Sequence, residues 1–145
     1  MIVPDVNVLV YAARDDAARH PEFRTWLYDA MHGPEAVGLS ELVLSGVVRV
    51  LTHPRVFDPP MPLGDALAYV DALRIQPRAI PLRPGSRHWS IFAELCRTGA
   101  ARGNLVPDAY HAALAMEAGG EWVTTDRDFA RFPGLRWRHP LAPRA

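Results

Sequence analysis

The sequence predicts a three-layer α/β/α sandwich built on a central, mainly parallel sheet. Short apolar runs alternate along the chain with amphipathic segments of helical period, the pattern of strands joined by helical crossovers. The apolar runs are brief, as suits strands at the centre of such a sheet. No repeat, linker or shift in composition divides residues 1–145, so one domain is expected, large enough to bury a core without disulfides.

Each element has a local reason. MIVPD reads as a short buried strand ending at Asp5, with Asn7 placed to cap the short helix VLVYAAR. In HPEFRTWLYDAMH, Pro21 suits a first turn, and Phe23, Trp26, Leu27 and Ala30 recur at helical spacing. AVGLS is a second strand with Ser40 at its exit as a cap. The helix ELVLSGVVRVLTHP follows and stops before Pro54. RVFDPPMP is a stiff loop, LGDALAYVDALRI a helix, and RAIPL a brief strand. SRHWSIFAELCRTG is a helix closed by Gly99, and AARGNLV is a loop. PDAYHAALAMEAGG is a helix with Pro107 near its first turn and two glycines at its end. EWVTT is a strand, and LRWRH a weaker one.

Composition narrows the chemistry. Hydrophobic residues make up 49 % of the chain and charged residues 22 %, a globular balance. The 16 basic and 16 acidic residues cancel, so net charge neither favours nor opposes a nucleic-acid partner. Every basic residue is Arg, which excludes lysine nucleophiles, Schiff bases and the P-loop lysine. The single cysteine, Cys96, reads as a core thiol and cannot form an internal disulfide. The opening residues lack the basic region of a signal peptide and the length of a membrane span, so the expected location is cytoplasmic.

In a doubly wound sheet, ligands bind outside the carboxyl ends of the strands. Asp5 ends the first strand, Glu41 follows the second, and Asp126 and Asp128 follow EWVTT. Asp108 lies in the first turn of the helix feeding that last strand. Helix electrostatics or turn formation accounts for any one of these acids. Separate capping roles need no common end, whereas a hard-metal site needs convergent oxygen ligands. Such a cluster repels itself unless a cation neutralises it, and Mg²⁺ or Mn²⁺ is the expected ion, since no Cys or His set has zinc spacing. A carboxylate-held metal suits phosphodiester hydrolysis. His111, three residues beyond Asp108, is expected to pack rather than react. The sequence has no GxGxxG, and no nucleophilic triad competes.

The segments DVNVLVYA, LSELVLSGVVRVLTHPRVF, GNLVPDAYHAALAMEAG and WVTTDRDFARFPGLRW, in that order, resemble the PIN-domain family. Within it they resemble the VapC-type ribonuclease toxins of bacterial toxin–antitoxin systems. The resemblance implies that Asp5, Glu41, Asp108 and Asp126 are catalytic and hold Mg²⁺ or Mn²⁺. It makes Asp128 an accessory carboxylate, Asn7 a residue that orients the site, and Thr124 or Thr125 a hydroxyl that positions water or metal. It also implies an RNA substrate, a homodimer, a VapB-like antitoxin whose inserted segment blocks the site, and no membrane association.

RNA binding needs positive charge around an acidic pocket. Arg102, just before Asp108, is the leading candidate, with Arg14, Arg83 and Arg87 beside it. Trp89, Trp122 and Trp137 are expected in the core, and Trp26, Leu27 and Met31 either there or on a partner face. Three rival functions make different demands. A phosphatase of the haloacid dehalogenase type wants a second Asp where Asn7 stands, and also a Lys; a receiver domain likewise wants a Lys. A non-catalytic RNA-binding module of the same fold predicts RNA retention without cleavage.

Overall fold

A computed structural model describes residues 1–143. Its strands are β1 (Ile2–Pro4), β2 (Val37–Leu39), β3 (Ala79–Pro81), β4 (Glu121–Val123) and β5 (Trp137–Arg138). Its helices are α1 (Val6–Ala13), α2 (His20–His32), α3 (Glu41–Leu51), α4 (Leu63–Arg74), α5 (His88–Thr98) and α6 (Leu105–Glu117), with a 3₁₀ turn at Arg127–Arg131. The strands form one sheet in the order β3-β2-β1-β4-β5, and every pairing is parallel.

That order places the site. From β1 the chain steps outward through β2 to β3, then returns across β1 to β4 and continues to β5. With right-handed crossovers, reversing direction moves the connecting helices to the opposite face of the sheet. The helices accordingly divide into two sets: α1 packs on α2 and α3, and α3 on α4, while α5 packs on α6. The reversal opens a crevice between the carboxyl ends of β1 and β4.

The inner strands carry no polar alternation because both their faces are covered. Ile2, Val3, Val37, Leu39, Trp122 and Val123 are all buried. Against them lie Val8 and Leu9 of α1, Val43 and Val47 of α3, and Ala109, Ala112 and Ala113 of α6. Each fully buried Val or Leu contributes about 1.5–3 kcal/mol relative to exposure. The small residues of α6 let that helix lie close to the sheet. At its end Gly119 takes φ +66°, a left-handed turn that glycine adopts without Cβ strain. Gly46 serves a close approach instead: a Cβ there would come within 2.9 Å of a Val6 methyl, so its absence lets α3 lie on α1. The Tyr69 hydroxyl ties α4 to α1 by donating to the Leu9 carbonyl at 2.7 Å.

Several local expectations hold. Ser40 caps α3 by accepting from the Val43 N–H at 3.0 Å, Gly99 closes α5, and α2 spans His20–His32 with Pro21 in its first turn. Others are corrected. α6 begins at Leu105, before Pro107, taking in the end of the expected loop. α1 begins at Val6, so Asn7 lies inside it and Asp5 is the cap. Trp89 is 70 % exposed, on the outer face of α5, whereas Trp122 is buried and Trp137 half-buried. Cys96 is half-buried. Leu27 and Met31 belong to the core, with Trp26 partly buried against it. Among the described residues no helix is long and apolar enough to cross a membrane.

Candidate active site

The turn leaving β1 is locked to the turn leaving β4. The Asp5 N–H donates to the Val123 carbonyl at 2.8 Å, extending the β1–β4 pairing by one residue. The Asp5 carboxylate then does two jobs. Its Oδ1 caps α1 by accepting from the Val6 N–H at 2.6 Å. Its Oδ2 accepts from the Thr124 hydroxyl at 2.6 Å and from Asn7 Nδ2 at 3.1 Å. Thr124 is fully buried, and its Oγ1 accepts from the Asp126 N–H at 3.0 Å and from Asn7 Nδ2 at 3.3 Å. Asn7 closes the ring by accepting from the Thr125 N–H at 3.3 Å. Of the two threonines, Thr124 holds a carboxylate through its hydroxyl; Thr125 acts through its backbone.

Asp126 is also a cap. Its Oδ1 accepts from the Asp128 N–H at 2.9 Å and starts the 3₁₀ turn, so the capping role falls to Asp126, not Asp128. Asp108 reaches the same crevice from the first turn of α6. Asp5, Asp108 and Asp126 together line a cleft of about 580 Å³.

The electrostatics reflect this crowding. Burial pushes the Asp108 carboxyl up to about 6, helped by repulsion from Asp126, Asp5 and Asp128 and opposed by Arg131. Asp5 is also raised, chiefly by burial; the Thr124, Val6 and Asn7 hydrogen bonds oppose this, and Asp126 adds repulsion. A bound cation would relieve this repulsion. The donor set is oxygen-only, which fits Mg²⁺ or Mn²⁺. Among the described residues no group of three His, Cys, Asp or Glu stands ready to hold a metal. Mg²⁺ asks for less, since it binds through one or two carboxylates and keeps several waters.

Glu41 is not brought to this cleft. It starts α3 at the carboxyl end of β2, on the far side of β1 from the β1–β4 crevice. It lines a separate depression with Arg74, Ile80, Pro81 and Arg83. The expectation that it joins the other acids is not met, because the first turn of α3 faces that depression and residues two turns further along the helix reach the cleft. α3 presents Arg49 and Val50 to the cleft instead. Arg49 is a residue that sequence reasoning missed; the signal for it was the helical face opposite the buried Val43, Val47 and Leu51.

The expected arginines lie elsewhere. Arg83 sits in the Glu41 depression. Arg87 begins α5, where its N–H and that of Gly85 donate to Glu117 at 2.9 and 2.6 Å. Arg102 is exposed in the loop before α6. Arg14 is held by both Asp16 oxygens at 2.8 and 2.6 Å and lies 4.4 Å over the Phe57 ring, at the cleft rim. His111 is buried and stacked on Trp122 at 5.4 Å, and burial pulls it down to about 4, so it is a neutral packing residue on the cleft wall.

The comparisons with known proteins agree with this architecture. The PIN domain profile matches residues 2–135. Ribonuclease VapC43 of Mycobacterium tuberculosis is 48 % identical over 141 residues, covering 97 % of this chain and 96 % of the relative. Ribonuclease VapC25 of the same organism is 38 % identical over 140 residues, covering 97 % and 99 %. Among solved structures, VapBC2 from Rickettsia felis, bound to a promoter DNA fragment, matches with a TM-score of 0.68 at 20 % identity, covering 96 % of this chain and 98 % of its own. M. tuberculosis VapC20, a toxin that cleaves the sarcin-ricin loop, matches with a TM-score of 0.63 at 20 % identity, covering 94 % and 99 %. A crevice at the β1–β4 reversal that gathers Asp5, Asp108 and Asp126, together with relatives that share its sequence end to end, places this chain in the PIN-domain family, among the VapC ribonucleases.

Proposed function

We propose that this protein is a divalent-metal-dependent endoribonuclease, the toxin of a VapBC-type pair. The observation that carries the reading is the gathering of Asp5, Asp108 and Asp126, from three distant segments, in one cleft at the carboxyl edge of the sheet. Burial, helped by repulsion from the neighbouring acids, pushes Asp108 up to about 6. Asp5, Asp108 and Asp126 are the residues that would hold Mg²⁺ or Mn²⁺. A bound divalent cation polarises the phosphodiester and makes water a nucleophile near neutral pH.

The chain's own residues supply orientation and proton handling. Thr124, Asn7 and the Val6 N–H fix both Asp5 oxygens, so this carboxylate meets its ligand without reorganisation. Thr124 also holds the Asp126 N–H, coupling the second carboxylate to the first. Asp108 makes no hydrogen bond among the described residues, and burial pushes its carboxyl up to about 6. Its carboxylate is the group to accept the proton of an attacking water. By the same reading the protein forms a homodimer, and its VapB-like antitoxin covers the acidic cleft.

Incubation of purified protein with RNA, with and without Mg²⁺ or Mn²⁺, tests the reading. Cleavage leaving 3′-hydroxyl and 5′-phosphate ends is expected, and both Asp5→Asn and Asp108→Asn should abolish it while the protein stays folded. Undiminished cleavage by both variants would sink the assignment. RNA retention without any cleavage by the wild type would point to a binding module instead.

A further inference from the structure

Part of the cleft wall is apolar where a purely hydrolytic cleft needs no apolar surface. The loop after α3 brings Val56, which is 53 % exposed, and the half-buried Phe57 to the cleft. Phe57 is not free to swing away. The Arg14 guanidinium lies 4.4 Å over its ring and also donates to the Pro59 carbonyl at 3.2 Å, while Asp16 grips the same guanidinium. The loop is thus pinned to the end of α1 with Val56 and Phe57 lining the cleft. Arg49 lines the same cleft, yet among the described residues it makes no ion pair or side-chain hydrogen bond. An arginine that shares a cleft with three carboxylates and pairs with none of them keeps its donors for an incoming anion.

We propose that Arg49 and the Val56–Phe57 wall form a nucleotide-holding subsite, in which Arg49 grips a backbone phosphate and the wall packs against the base of an unpaired nucleotide. The proposal rests on the ribonuclease reading above and deepens it by naming the residues that hold a nucleotide of the substrate beside the acids. A base paired inside a duplex is stacked on both faces, whereas an extruded base stacks on an aromatic or apolar wall without regard to its identity. Arg14 is a positioning residue here: its charge is spent on Asp16, and its role is to hold Phe57.

Binding of a fluorescent single-stranded RNA, measured by anisotropy at several salt concentrations in the non-cleaving Asp108→Asn background, tests this. Arg49→Gln should weaken binding about tenfold or more and flatten the slope of log affinity against log salt by about 0.7. Arg49→Lys should keep the slope. Phe57→Ala should weaken binding about fivefold or more without changing the slope. An oligonucleotide with abasic positions should erase the difference between the Phe57→Ala variant and its parent. Thermal unfolding checks that each variant is folded. Parental affinity and slope for both Arg49→Gln and Phe57→Ala would overturn the subsite, as would a Phe57→Ala loss that persists on abasic RNA. Failure of the underlying reading looks different: the wild type would then cut no RNA in Mg²⁺ or Mn²⁺, whatever the binding series shows.

Discussion

Replacing Asp108 by Asn should stabilise the metal-free protein near neutral pH while abolishing its cleavage of RNA. The Asp108 carboxyl is shifted from 3.8 to about 6 in the folded protein. Because its folded pKa lies above its unfolded one, the folded state keeps the proton where the unfolded chain has already released it. Stability is therefore lost as pH rises through the window from about 4 to about 6, and the full penalty applies above it. The whole shift corresponds to at most about 3 kcal/mol. Asp108 is only half-buried, and solvent screening reduces this to about 1 kcal/mol. Asn removes the charge and sacrifices no hydrogen bond, since the Asp108 side chain makes none among the described residues. Urea unfolding in EDTA should show the variant more stable than wild type by about 1 kcal/mol near neutral pH, with the gap closing toward about pH 4. The corresponding rise in Tm is about 2–4 °C. Mg²⁺ should raise the stability of the wild type more than that of the variant. A variant less stable than wild type at neutral pH, or a gap that ignores pH, would refute the claim that the acids repel one another in one cleft.

Three further outcomes follow from the same geometry. Thr124→Val deletes the hydroxyl that serves Asp5 and Asp126 and should cost about 2–4 kcal/mol by urea unfolding, with Thr124→Ser recovering most of it. Glu41→Gln should leave RNA cleavage within about twofold of wild type, because Glu41 lines a different depression; a loss comparable to that of Asp5→Asn would return Glu41 to the catalytic set. Gly46→Ala should destabilise the protein despite its better helix propensity, since the added Cβ meets Val6 at 2.9 Å and overpacking costs about 1–3 kcal/mol. A compensating Val6→Ala change should reverse the sign, which thermal unfolding of the double variant will show.

Much of this molecule was legible before its structure. Strand and helix order, the Ser40 cap and the Gly99 stop follow from local period and local hydrogen bonding, which act within a few residues. Asp5, Asp108 and Asp126 were legible for a related reason: each sits where a strand ends or a helix begins, and parallel topology sends such places to one edge. Glu41 met the same local test and still failed. Which depression it faces depends on how α3 is turned against its neighbours, which no residue near Glu41 encodes. Trp89 and Arg49 show the complementary limit, since helical period reveals that a face exists but not what it faces.

The sequence by itself determined the layered α/β architecture, the carboxylates at its strand and helix ends and the exclusion of lysine chemistry, because these depend on residue type and short-range spacing. Only the tertiary structure decided which acids meet. It set β1 beside β4 and turned the chain back at that point, so Thr124 could bond Asp5 across a separation of 119 residues. It also turned Glu41 toward a separate depression and brought Arg49 and Phe57 into the cleft that holds the carboxylates. The physical reason is that strand order is fixed by the burial and hydrogen bonding of the whole sheet, a sum over contacts far apart in sequence.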